Sequence, residues 1–156
     1  MGRTLGSIGG YGWTGENPTK LRNILIKAND AFVKLRKTLD FDAIAFSGSS
    51  GAVIAFPLAV SHEIPVIYVR KANEQSHGSA VECNGEDQIK KYLIVDDFIG
   101  SGATIDWIAN QVKAYARGPV KLVGVFCFSD DSQRGGGLRV VGGEEVKIYT
   151  PRSVLR

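Results

Sequence analysis

Residues 92–105 read Tyr-Leu-Ile-Val-Asp-Asp-Phe-Ile-Gly-Ser-Gly-Ala-Thr-Ile, and they decide the fold. The apolar run Tyr92 to Val95 ends in two adjacent carboxylates, Asp96 and Asp97. The small-residue loop Gly100-Ser101-Gly102-Ala103-Thr104 follows, and Ile105, Ile108, Ala109, Val112 and Ala116 then recur at helical spacing. The pattern predicts a buried strand, an acidic corner, a glycine loop and a helix. Glycines let backbone N–H groups turn toward a ligand. The start of a helix offers unpaired N–H groups and positive partial charge. Ser101 and Thr104 add hydroxyl donors. Together these make a seat for one phosphate monoester, and the acids before it can accept hydrogen bonds from sugar hydroxyls. A phosphorylated sugar fits that chemistry. Two aspartates at a strand end before Gly-Ser-Gly are also compatible with a plain turn and a helix cap, but the full run favours a ligand.

Working outward, strands and helices alternate. Residues 1–16 are glycine-rich around Tyr11 and Trp13. Gly10-Tyr-Gly12-Trp-Thr-Gly15 matches a dinucleotide fingerprint in letters only, because no strand precedes it. A flexible or capping segment is expected there. Tyr11 and Trp13 would either stack on a ligand ring or anchor the arm to the core. Asn17-Pro18 starts a helix, with Leu21, Ile24, Leu25, Ala28, Phe32, Leu35 and Leu39 on one face and an end near Asp40. Ala43 to Phe46 is a short strand that breaks into Ser47-Gly48-Ser49-Ser50-Gly51. A second helix is expected from Ala52 to Ser61, kinked or started by Pro57. Pro65 to Arg70 is a strand, and Lys71 to Asp87 reads as one long polar loop of the kind that serves as a lid or is simply disordered. After the helix that begins at Thr104 and stops at Gly118-Pro119, Val120 to Phe128 is a strand, Ser129 to Gly137 a surface turn and Glu145 to Thr150 a closing strand.

This order argues for an α/β fold, a mostly parallel open sheet with helices on both faces. Such sheets bind ligands beyond the carboxyl ends of their strands. The loops at 47–51, 71–87 and 96–104 all follow strands, so they should gather on one rim.

Bulk properties narrow the classes. The chain has 156 residues, 44% of them hydrophobic, which suits one domain with a proper core. The net charge of +3, from 19 basic and 16 acidic side chains, does not call for nucleic acid. Lys27, Lys34, Arg36 and Lys37 on the first helix read as a solvated face. Cys83, Cys127, His62 and His77 lack zinc-ligand spacing, and Cys127 sits in the apolar run 122–128 as a small core residue. Nothing requires a disulfide, so a cytoplasmic setting is expected. The sequence shows no transmembrane run, and neither a secretory leader nor myristoylation is expected, since a glycine-rich run follows Thr4 and position 6 is glycine.

The stretch 92–105 resembles the phosphoribosyl-pyrophosphate motif of the type I phosphoribosyltransferases, in which a hydrophobic strand ends in two acids and runs into Thr-Gly-x-Thr. Here that loop is Ser101-Gly102-Ala103-Thr104, a change that keeps the hydroxyl. The resemblance covers roughly residues 40–130. It implies that Asp96 and Asp97 hold the ribose 2- and 3-hydroxyls and that Ile99, Gly100, Ser101, Gly102, Ala103 and Thr104 form the 5-phosphate loop. It further implies that Ser47, Gly48, Ser49, Ser50 and Gly51 grip the pyrophosphate, although the family's basic residue near that loop is missing. The other reading of 47–51 is a strand-to-helix turn with a serine cap. Arg70-Lys71 stands where orotate and adenine phosphoribosyltransferases carry Arg-Lys, so the pair is suited to the leaving pyrophosphate and does not fix the base. His77, followed by Gly78, resembles the mobile-loop His-Gly of the orotate enzymes, one position late and without the intervening lysine. It would act in catalysis with Lys71, Asp96 and Asp97, or be an ordinary loop histidine.

The implied activity is transfer of 5-phosphoribose from phosphoribosyl pyrophosphate to a nucleobase, orotate or purine, with Mg²⁺ held mainly by substrate and a homodimer as the assembly. A non-catalytic sensor of phosphoribosyl pyrophosphate is the alternative. Residues 1–16 and 129–145 are the expected hood that chooses the base. Trp107 is expected to face outward, available to a dimer contact.

Overall fold

The computed structural model describes residues 18–74, 78–83, 85, 88–129 and 136–156. The elements are α1 (Pro18–Thr38), β1 (Ala43–Phe46), α2 (Gly48–His62), β2 (Val66–Val69), β3 (Val81–Cys83), β4 (Lys91–Asp96), α3 (Ala103–Tyr115), β5 (Lys121–Cys127), β6 (Leu138–Val141), β7 (Glu144–Tyr149) and α4 (Pro151–Leu155). The strands form one sheet in the order β3-β2-β1-β4-β5-β7-β6. From β2 to β7 the pairs are parallel, and the edge strands β3 and β6 are antiparallel to their neighbours.

The mostly parallel sheet follows from its apolar strands. Side chains alternate across the sheet, and each face needs a cover. Ile44, Phe46, Leu93, Val95 and Phe126 pack against Phe32 and Leu35 of α1 and Ile54 and Leu58 of α2. Ala43, Ala45, Ile67, Ile94 and Val125 pack against Ile105, Ile108 and Val112 of α3. Burying both faces makes β1 and β4 apolar almost throughout, and each large buried side chain contributes roughly 1.5–3 kcal/mol. The chain winds from β1 outward to β2, then returns to place β4 on the other side of β1. The crevice between the carboxyl ends of β1 and β4 is thus the topological switch point.

Several boundaries differ from the sequence reading. Helix α1 stops at Thr38 rather than near Asp40. Helix α2 begins at Gly48, so the expected loop at 48–51 is its first turn, and Pro57 lies within the helix. The 71–87 segment contains β3, an edge strand paired with β2 from Ile67 to Val69. Part of the 129–145 segment is β6, which joins β7 through Gly142 and Gly143 at φ 56° and 87°. Positive φ at both central residues is the geometry of a type I′ hairpin. Helix α4 was not anticipated. It starts with a reciprocal cap, in which Ser153 N–H donates to Thr150 Oγ1 at 3.1 Å and Thr150 N–H donates to Ser153 Oγ at 2.8 Å. Residues 1–16 and His77 lie outside the described residues.

Candidate active site

The switch point collects Ser47 at the end of β1, Arg70 and Lys71 after β2, and Asp96 and Asp97 at the end of β4. Both aspartates are buried, at 5% and 6% exposure. They turn their carboxylates onto the descending backbone. Asp97 N–H donates to Asp96 Oδ1 at 2.9 Å, and Phe98 N–H donates to Asp97 Oδ1 at 2.9 Å. Burial, and then the neighbouring Asp97 charge, push the Asp96 carboxyl up to about 8, with the Lys71 ammonium working the other way. The protein therefore holds two acids against the solvation that would ease them.

Helices begin on either side of this pair. Gly102 is the N-cap of α3 at φ 92°, a backbone state that favours glycine. Ser101 Oγ accepts from Ala103 N–H at 3.2 Å, and Thr104 is exposed. Ile99 is buried and pins the loop to the core, while Gly100 and Ser101 are exposed. The loop 99–104 thus runs into the N-terminus of α3, whose first N–H groups have no intrahelical acceptor.

The start of α2 is the other helix N-terminus at the switch point. Ser47 is the N-cap, yet its side chain makes no capping hydrogen bond. Its Oγ is buried with no partner among the described residues. Gly48 has φ 68° and Gly51 packs against Phe46 and the Val95 carbonyl, so this turn sits tight on β1 and β4. Ser49 is exposed and Ser50 half-buried. The Lys71 side chain lies over Gly48, where an added methyl would meet Cε at 2.8 Å and Nζ at 3.2 Å. Lys71 thereby supplies from β2 the cation that the 47–51 segment lacks in sequence.

Arg70 is placed differently. Its guanidinium is paired with Glu82 of β3 and lies 5.1 Å from the Tyr68 ring centroid. Its carbonyl accepts from the Trp107 indole N–H at 2.8 Å. Trp107 therefore does not face outward, but packs partly buried from α3 against the core. A residue the sequence reading missed also enters. Arg139 of β6 donates from Nη2 to the Ser101 carbonyl at 2.5 Å, and its guanidinium rests on Gly102. Arg139 shares a face of β6 with the buried Val141, and no local pattern in the sequence links it to the 99–104 loop.

Other sequence candidates are structural. His62 Nε2 lies 3.0 Å from Asn29 Oδ1 and its ring packs edge-on against Phe32, which joins α2 to α1. Cys127 is buried under the two aspartates, and that burial pushes its thiol up and leaves it inert. A cavity of about 550 Å³ between Ile67, Val81, Ile89, Val112 and Val120 shares no residue with the two aspartates or with residues 47–51 and 99–104. No described helix is long and apolar enough to cross a membrane.

Comparison with known proteins decides the family. No family model matches the chain. An adenine phosphoribosyltransferase of Ureaplasma parvum is 32% identical over 117 residues, covering 64% of this chain and 68% of that one. The chain belongs to the type I phosphoribosyltransferase family. The fold of this phosphoribosyltransferase agrees with the crystal structure of orotate phosphoribosyltransferase from Aeropyrum pernix, at TM-score 0.59 and 17% identity over 89% of this chain and 76% of that one. The purine biosynthesis repressor PurR of Bacillus subtilis is 24% identical over 110 residues, 60% of this chain and 39% of its own length.

Proposed function

We propose that this chain transfers 5-phosphoribose from phosphoribosyl pyrophosphate to a purine, adenine first among the candidates, and releases pyrophosphate. The observation that carries the reading is the pair of buried aspartates set between two helix N-termini at the switch point. One phosphate seat on each side of a polyol-binding acid pair matches a sugar with phosphate at C5 and pyrophosphate at C1. The preference for adenine rests on the relatives above 30% identity, which are adenine phosphoribosyltransferases.

In the reaction a ring nitrogen forms a bond to C1 as the C1–O bond to pyrophosphate breaks, and the electron pair leaves with the pyrophosphate. Positive charge develops on the ribose. Asp96 and Asp97 would orient the 2- and 3-hydroxyls and set negative potential beside that charge. Loop 99–104 would hold the 5-phosphate and supply remote binding energy for positioning. The α2 N-terminus, the unpartnered Ser47 hydroxyl and Lys71 would receive the pyrophosphate. Arg70 would join only after leaving Glu82.

Mg²⁺ fits these residues. Aspartate oxygens are hard donors, and a divalent cation would displace the proton that burial and Asp97 keep on Asp96. Among the described residues no cluster of three or more metal-binding side chains exists, so substrate oxygens would hold most of the ion, with Asp96 and Asp97 on the protein side. When bound, the ion neutralises the departing pyrophosphate. A homodimer belongs to the same reading, supported by Phe56 and Val60 exposed on one side of α2. A cytoplasmic setting belongs to the same reading, supported by Cys127, which is buried in the core without a disulfide.

The test mixes the chain with Mg²⁺, phosphoribosyl pyrophosphate and adenine, guanine, hypoxanthine or orotate in turn, and follows pyrophosphate release. Release is expected with adenine. Tight binding of the sugar with no release for any base would instead favour a sensor, the reading that the likeness to PurR supports. The Lys71 ammonium beside Gly48 supplies a cation near Ser49, which supports the enzyme over the sensor.

A further inference from the structure

We propose that Arg139 binds the sugar 5-phosphate together with loop 99–104, an inference that rests on the phosphoribosyl-pyrophosphate reading above. In β6 the side chains alternate. Leu138 and Val140 are 68% and 62% exposed on one side, and Val141 is fully buried on the other. Arg139 shares the Val141 face and so points toward α3. The hairpin is pinned there. Gly142 N–H donates to Asp106 Oδ1 at 3.1 Å, and Gly142 packs on Ala109 so closely that an added Cβ would meet Ala109 Cβ at 2.7 Å.

The guanidinium lands on the N-cap of α3. Its Nη2 donates to the Ser101 carbonyl, and any side chain at position 102 would overlap it. The positive end of a helix repels a cation, so the placement is unfavourable by itself. Among the described residues no carboxylate forms an ion pair with Arg139. An anion seated between the loop amides and the guanidinium satisfies the helix end and Arg139 together. Most of the fork's N–H donors remain after the single bond to Ser101, and the fork matches phosphate oxygens in a bidentate arrangement. The phosphate seat is therefore built from two sides, the α3 loop and the β6 edge.

The test titrates the full chain with ribose 5-phosphate and, separately, with Mg²⁺-pyrophosphate, which samples the other seat. Arg139→Ala should weaken ribose 5-phosphate by about ten- to a hundredfold and leave Mg²⁺-pyrophosphate within about twofold. Arg139→Lys should recover part of the loss. Arg139→Gln keeps a donor for the Ser101 carbonyl without the charge, and it should lose ribose 5-phosphate affinity as alanine does. It also carries the comparison if alanine unfolds the hairpin. Undiminished ribose 5-phosphate binding in Arg139→Gln, or parallel loss of both ligands, would overturn the role of Arg139 while leaving the enzyme reading intact. A wild-type chain that binds neither ligand would overturn both.

Discussion

Asp96 carries the sharpest conflict in the molecule. Its carboxyl is pushed from an ordinary 3.8 to about 8 by burial and by Asp97. The folded chain thus keeps a proton that the unfolded chain gives up across that window. Stability from this group is fully present below about pH 4 and is lost as pH rises toward 8. Asp96→Asn should therefore be more stable than wild type at pH 8.5, by on the order of 1–3 kcal/mol. The gain should shrink toward pH 5, and urea titration at the two pH values reads it directly. An equal gain at both would remove burial of the charge as the cause. Asp97→Asn tests the chemistry instead. It should lose about a hundredfold in kcat, since one positioned electrostatic contact is worth roughly 2–4 kcal/mol, with an unchanged circular dichroism spectrum. The two acids were legible in sequence because an apolar strand ending in paired carboxylates is rare. Arg139 was not, because it lies far along the chain from the loop it touches and only the β6–β7 hairpin brings it back.

At the scale of elements, long and periodic segments were readable and short edge segments were not. Helices α1 and α3 announce themselves by spacing. The start of α2 was hidden, because glycine and serine are weak helix formers and only close packing of Gly51 on Phe46 and the Val95 carbonyl sets that turn in place. Strands β3 and β6 are three and four residues long, too short to show a period. The Gly142-Gly143 pair and the Thr150-Pro151 cap were local signals that the reading passed over. Helix α2 ends in a second local irregularity. Glu63, its C-cap, holds φ 51° and ψ 44°, a left-handed state that costs a residue with a Cβ. Glu63→Gly should stabilise the protein by about 0.5–1 kcal/mol, seen as a higher urea midpoint with an unchanged slope. A lower midpoint would mean that the Glu63 side chain contributes more than its backbone costs.

For the whole molecule, the two proposed phosphate seats and the acid pair hang on loops and helix ends around one crevice, so ligand and fold should stabilise each other. Phosphoribosyl pyrophosphate with Mg²⁺ at about a hundred times its Kd adds about 2.7 kcal/mol by mass action. For a domain of this size that is a rise in Tm of about 5–10 °C, measurable by differential scanning fluorimetry. No shift at saturating concentration would contradict the assignment of the crevice. The hydrogen bond from the Trp107 indole to the Arg70 carbonyl has an optical consequence. The chain has two tryptophans, Trp13 and Trp107. In a Trp13→Phe background the remaining indole ties α3, which starts at loop 99–104, to the strand end that carries Arg70 and Lys71. Its emission should move when that tie tightens or slackens, so the native chain contains its own fluorophore for following occupancy in real time. A spectrum indifferent to phosphoribosyl pyrophosphate would mean that the two walls of the crevice answer the ligand independently.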